Sequence, residues 1–235
     1  MIRNAFLGSH MSVGYVLINV EPGSESSVCH AATSLGCVTD ANLLFGDYDL
    51  IVKVEGDDMG DIAGKRVLVR EDLNVPMQDG SVTDDTRLRA AMPTVLELAD
   101  RGAKVLILAH FGRPKGQKNP EFSLSKITRP LTQVLGREVQ FIPDCQGEAA
   151  VDGIKVMRNG DIAILENTRF HAGEEKNDPA LVDAIAAIGD LYVNDAFSAA
   201  HRAHASTEGL ARKMPLTAIA QSEQVYCPLP SMDQN

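Results

Sequence analysis

Residues 65–70 read KRVLVR, and runs of the same kind return as KVLILA (104–109), VQFI (139–142), DIAIL (161–165) and LYVN (191–194). They are short, mostly apolar and rich in Val, Ile and Leu, the pattern of strands buried on both faces. Between them, apolar residues fall at helical spacing. Val95, Leu96, Leu98 and Ala99 precede Gly102; Leu124, Ile127, Leu131, Val134 and Leu135 precede Gly136; Leu181, Ile185 and Ile188 precede Gly189. A glycine just past the last periodic residue is a helix stop signal. Alternating strands and helices of this length imply right-handed crossovers and a parallel sheet. The expected fold over residues 64–215 is therefore α/β, a parallel Rossmann-like sheet with flanking helices.

Upstream the pattern differs. GYVLINV (14–20) reads as a strand, and EPGSES (21–26) leads into a weak helix to about Leu35, with Gly36 to end it. VTDANLLF and YDLIVKVE then read as two strands around the turn Gly46-Asp47. A second helix is expected to begin within Asp57–Ile62. Residues 14–63 thus suggest a small ferredoxin-like α+β segment cut short. Gly-Ser-His-Met at residues 8–11 looks like the scar of a cleavable tag, so residues 1–13 are expected to be a disordered leader. Residues 216–235 lose periodicity and read as an irregular tail.

The formal charge of −10 argues against a general nucleic-acid or membrane-surface binder. The deficit is concentrated between Gly14 and Ala63, where nine acids meet the single base Lys53. Basic groups gather in the second segment. Cys29, Cys37, Cys145 and Cys227 are scattered without paired spacing, which points to free thiols in a reducing compartment and to neither disulfide nor metal. His201 and His204 lack the neighbouring donors of a metal site. No run approaches a membrane span, and no long apolar leader is present, so the cytoplasm is expected.

In an open parallel sheet, ligands bind where the strands end and the loops converge. Asp72 and Asn74 follow the first strand, with Arg87 near the start of the first crossover. His110, Arg113 and Lys115 follow the second; Asn167, Arg169 and His171 follow the fourth; His201, Arg202 and His204 follow the fifth. Arginine grips carboxylate or phosphate with a planar fork of donors. So many cations at one edge imply a small, multiply charged anion. GRPKGQK (112–118) is no phosphate loop, because its glycines are too close and no Ser or Thr follows the Lys.

The blocks GKRVLVREDLNVP, VTDDTRLRAAMPT, GAKVLILAHFGRPKG, ILENTRFHAGEEKND and YVNDAFSAAHRAHAST resemble, in order and spacing, the N-terminal domain of phosphoglycerate kinase. The resemblance implies a bilobal kinase that moves phosphate between 1,3-bisphosphoglycerate and ADP with magnesium. It places the substrate contacts for 3-phosphoglycerate at Asp72, Asn74, Arg87, His110, Arg113, Arg169 and Arg202, with Arg87 also catalytic at the transferring phosphoryl. Glu71 stands where the family has an apolar residue, so its carboxylate is expected to cost stability or to pair with a nearby arginine. The likeness ends after Met214-Pro215, and the glycine-rich nucleotide motifs of the second lobe are not found. No cofactor is therefore expected on this chain alone, Mg-ATP or Mg-ADP belonging to the complete family. Phosphoryl transfer by the chain alone is not expected either.

YVLINVEPG and FGDYDLIVKVE separately resemble the effector-binding domain of Lrp/AsnC-type regulators, which dimerises and binds amino acids. Two partial likenesses in tandem imply a fusion, natural or engineered, whose open sheet edges would either complete each other or recruit a second copy; a chimera without native activity is the alternative expectation.

Overall fold

The computed structural model describes residues 11–18, 20, 22–34, 38–43, 50–57, 62–78, 80–196 and 202–214. Contacts divide the chain into two units, Met1–Gly60 and Asp61–Asn235.

The first unit holds β1 (Met11–Ile18), α1 (Glu25–Thr33), β2 (Val38–Leu43) and β3 (Leu50–Asp57). They form an antiparallel sheet in the order β1-β3-β2, with Met11 opposite Asp57 and Ile18 opposite Leu50. The register of β2 on β3 slips between Val38 and Asp40. Two expectations change. Met11, Ser12 and Val13, assigned to a leader, open β1, because their main chain pairs with Asp57, Gly56 and Glu55 whatever their side chains. Asp57 consequently ends a strand rather than starting a helix. Residues 58–61 and the Gly46-Asp47 turn lie outside the described residues, as do residues 1–10 and the tail from 215.

The second unit contains β4 (Arg66–Arg70), a hairpin of β5 (Met77–Gln78) and β6 (Ser81–Val82), α2 (Thr86–Asp100) and β7 (Lys104–Leu108). There follow α3 (Ser125–Leu135), β8 (Val139–Ile142), α4 (Gly147–Lys155), β9 (Ile162–Leu165), α5 (Pro179–Ala186), β10 (Leu191–Asn194) and α6 (Leu210–Lys213). Short 3₁₀ turns stand at Pro120–Phe122 and Thr168–Phe170, and a π-helical turn at Ala205–Gly209. All five strands expected from the apolar runs are present, parallel, in the order β10-β4-β7-β9-β8.

Helices shield the sheet, which explains the unbroken apolar runs. Val105, Leu106, Ile107 and Leu108 are all fully buried, as are Leu68 and Val69. Each such side chain contributes roughly 1.5–3 kcal/mol of transfer free energy. From the helices, Leu88, Val95, Ile127, Leu131 and Ile185 add to an aliphatic core. Gly136 ends α3 in the left-handed conformation at φ 65°, its N–H donating to the Thr132 carbonyl. Asp178 caps α5 by accepting from Ala180 N–H, with Pro179 in the first turn where no N–H is needed. No helix among the described residues is long and apolar enough to cross a membrane.

Candidate functional site

Because the strands are parallel, the loops leaving β4, β7, β9 and β10 meet at one edge of the sheet. A chain of contacts stitches these loops together. Arg87 Nη1, in the first turn of α2, donates to Asp72 Oδ2 at 2.7 Å. Asp72 Oδ1 accepts from Asn74 N–H at 3.2 Å, and Asn74 Oδ1 accepts from Gly112 N–H at 3.0 Å. The Gly112 carbonyl in turn accepts from Arg169 Nη1 at 2.8 Å. Gly112 has φ 60°, and a Cβ there would lie 2.3 Å from the Phe122 ring, so only glycine lets this backbone sit in the junction. Asn167 braces the same region from below, donating to the carbonyls of Phe111 and Phe122 and accepting from Arg169 N–H.

A buried ionic network lies beneath. Arg70, 1% exposed at the end of β4, donates through Nε to Ser206 Oγ at 2.9 Å and through Nη1 to the Glu71 carbonyl. Ser206 Oγ donates to Glu174 Oε1 at 2.5 Å, and Ser206 N–H reaches Glu174 Oε2 at 3.0 Å. Glu174 is fully buried and also accepts from Thr168 Oγ1. Burial lowers the Arg70 pKa, and the Glu174 charge is the chief force opposing that loss. Tyr192, with its hydroxyl donating to the Ser206 carbonyl, is held by burial well above the ordinary phenol range.

Arg70 also fixes the imidazole at the rim. Its Nη2 lies 3.0 Å from His110 Nδ1. Arginine can only donate, so Nδ1 accepts and the ring proton sits on Nε2. Burial, followed by the charges of Arg70 and Arg169, pushes the His110 pKa down to about 3. His110 is thus a neutral hydrogen-bond donor at physiological pH. Arg169 is itself lowered by burial and by Arg202 and Arg70, against the support of Glu175 and Glu174. Its Nε lies 3.2 Å from Glu175 Oε1, an ion-pair contact outside hydrogen-bonding geometry.

Of the seven residues expected at the site, Asp72, Asn74, Arg87 and Arg169 are joined by the contact chain, and His110 is tied to it through Arg70. Arg202 is exposed and acts through its charge on His110, Arg169 and His204. Arg113 is exposed beside Gly112 and makes no ion pair among the described residues. His171 turns away to Asp144, with Nε2 2.9 Å from Oδ1. His201 lies outside the described residues. Of the two outcomes expected for Glu71, the structure shows the costly burial and not the pairing with arginine. It is 3% exposed, its Oε1 has no hydrogen-bond partner, and Arg70 reaches only its carbonyl. Burial and the neighbouring Asp195 raise its pKa well above the usual range, while its backbone N–H donates to the Leu108 carbonyl of β7.

Arg70, Glu174 and Ser206 were not singled out from the sequence. A cation ending an otherwise apolar strand was the available signal for Arg70. Among the described residues, the one cluster of three potential metal-ligating side chains is Asp144, Cys145 and His171. Magnesium requires a shell of oxygen donors, and this set offers one carboxylate with a thiol and an imidazole. It does not fit the magnesium of a Mg-nucleotide.

Comparison with known proteins places this site in context. The family model described as Phosphoglycerate kinase matches residues 57–221, beyond both expected limits at 64 and 215. The phosphoglycerate kinases of Rhizorhabdus wittichii and Zymomonas mobilis are each 70% identical over 159 residues, covering 68% of this chain. The chain spans 40% of the length of these curated relatives. The solved structure of phosphoglycerate kinase from Coxiella burnetii is 40% identical with a TM-score of 0.60, over 66% of this chain and 39% of that one. The enzyme from Pyrococcus horikoshii OT3 is 37% identical with the same TM-score, over 66% of this chain and 40% of its own.

Proposed function

This chain belongs to the phosphoglycerate kinase family, and from that premise we propose that its second unit binds 3-phosphoglycerate at the carboxyl edge of the parallel sheet. The observation that carries the reading is the contact chain Arg87–Asp72–Asn74–Gly112–Arg169, which holds three loops in register beside the neutral donor His110. The phosphate and carboxylate of the ligand take their hydrogen bonds from Arg113, Arg169, Arg202 and His110 Nε2. Each charge-assisted bond contributes about 1.5–3 kcal/mol. Glu175, whose side chain is 56% exposed, swings away from Arg169 at little cost when the anion arrives. Arg87, held by Asp72 at the mouth, is the group proposed to face a transferring phosphoryl when a nucleotide-bearing lobe is present. Phosphoryl transfer is not proposed for this chain by itself.

Calorimetric titration with 3-phosphoglycerate tests the reading. The unsubstituted chain should give measurable heat, and Arg169→Ala or Arg113→Ala should weaken affinity at least tenfold. No heat from the unsubstituted chain sinks it.

A second reading concerns the first unit. Its order β1-β3-β2, with α1 between β1 and β2, supports taking residues 14–63 as part of a ferredoxin-like, amino-acid-sensing module fused to the kinase-like unit. Thermal stabilisation by amino acids, unaffected by Arg169→Ala, is the result that reading requires.

A further inference from the structure

We propose that Asp144, Cys145 and His171 form a binding site for a borderline-soft divalent metal ion of the zinc class. The sheet order makes the site. β8 and β9 are neighbours, so the loop after β8, carrying Asp144 and Cys145, meets the turn after β9, which His171 closes. A carboxylate oxygen, the Cys145 sulfur and an imidazole nitrogen all lie within 4.8 Å of one another. Around a tetrahedral zinc, bonds of about 2.0–2.3 Å set ligand atoms roughly 3.3–3.8 Å apart. Small side-chain adjustments therefore suffice. Three protein ligands leave a fourth position for water.

The surroundings suit a ligand set. Asp144 Oδ1 accepts from Cys145 N–H at 2.8 Å, which fixes the carboxylate. Asp144 Oδ1 and His171 Nε2 stand 2.9 Å apart across a single proton, and the ion takes that proton's place. Lys118 Nζ contacts the other oxygen, Oδ2, at 3.1 Å and can remain there. Gln146 lies 3.0 Å from His171 Nδ1. Once Nε2 binds metal, the imidazole proton moves to Nδ1, and a flip of the Gln146 amide presents its carbonyl as acceptor. That is the outer contact that metal-bound histidines commonly keep. The Cys145 thiol is fully buried and makes no hydrogen bond among the described residues, so no competing contact holds its sulfur. A plain structural ion pair between Asp144 and His171 would not need it. The thiol proton leaves to solvent as the divalent ion enters, the ion's charge offsetting the burial and the Asp144 charge that otherwise hold the thiol protonated, and the imidazole keeps one proton. His171 also lines a hollow of about 310 Å³ together with Lys115, Arg169 and Glu175.

The test uses the full chain with cobalt and zinc chlorides. Cobalt should produce a thiolate-to-metal charge-transfer band, and zinc should raise the melting temperature at one equivalent, while magnesium chloride raises it by nothing comparable. Calorimetry in buffers of different ionisation enthalpy should report about one proton released per zinc. Cys145→Ser should abolish the band, and His171→Gln should weaken zinc binding at least tenfold. Since Cys145→Ser could disturb the core, His171→Gln serves as the independent variant. Absence of the band in the unsubstituted chain overturns the proposal. So does a band that survives in Cys145→Ser, which would place the metal on another cysteine.

Discussion

Replacing His110 by glutamine should make the second unit less sensitive to acid. In the folded chain the His110 pKa is pushed down to about 3, by burial first and then by the charges of Arg70, Arg169 and Arg202, with Asp72 opposing. An unfolded histidine titrates near 6.5, so below about pH 6.5 the unfolded state takes up a proton that the folded state refuses. Stability is therefore lost as pH falls, by about 1.4 kcal/mol per unit down to about pH 3, and nothing changes above about 6.5. At pH 4.5 this single group costs roughly 2.7 kcal/mol. Glutamine can still accept from Arg70 Nη2 through its side-chain oxygen, and it carries no titrating proton. Urea unfolding of both proteins at pH 7.5 and 4.5 gives a double difference in which the other carboxylates largely cancel. Its expected value is about 2–3 kcal/mol in favour of His110→Gln at the lower pH. A double difference below about 0.5 kcal/mol would refute the half-buried, neutral imidazole on which the site geometry rests.

Two further outcomes follow from the buried charges. Glu71 has its pKa raised by burial and by Asp195, so the folded state holds a proton that the unfolded chain sheds above its ordinary titration; stability falls as pH rises through that range. Glu71→Leu should raise the stability measured by urea unfolding more at pH 8 than at pH 4.5, by about 1–3 kcal/mol at the higher value, and a loss of stability at pH 8 would contradict this. Glu174→Ala removes the acid that compensates buried Arg70 and should cost about 3–5 kcal/mol in urea unfolding; a change under about 1 kcal/mol would mean that Arg70 is balanced elsewhere.

The parallel sheet was legible because burial on both faces leaves few polar positions within a strand, Gln140 of β8 being an exception, so each strand appears as a mostly apolar run. The helices with glycine stops were legible for a similar reason. α4 was not singled out: it buries only Ala150 and Ile154, too few for a periodic signal. The β5–β6 hairpin consists of two-residue strands, below the length at which alternation can be read. At the rim, the arginines could be found because each follows its own strand. Arg70 and Glu174 could not be paired in advance, since Ser206 links them from 136 and 32 residues away and only the folded turn at Ala205–Gly209 brings the three together. The meeting of Asp144 with His171 was hidden likewise. It depends on β8 lying beside β9, and chain order alone does not dictate that adjacency.

The acids around the arginines form a gradient of commitment. Glu174 is fully buried and bound by Ser206, so the charge beneath the site is settled when the chain folds. Asp72, with its side chain 16% exposed, holds Arg87 at the margin. Glu175, 56% exposed, touches Arg169 at the top, where Arg113 and Arg202 face solvent. On the proposed reading, a small anion would displace one loosely held carboxylate, Glu175, and none of the groups that hold the loops in place. Rigid donors set in advance by folding are what make such binding inexpensive in reorganisation. The same gradient separates the consequences of substitution. Changes at Glu174 or Arg70 should appear as lost stability, largely independent of ionic strength because the pair is buried. Changes at Arg113 or Arg202 should appear as lost affinity with little change in stability, and more so at low salt, because those charges lie in the screened layer.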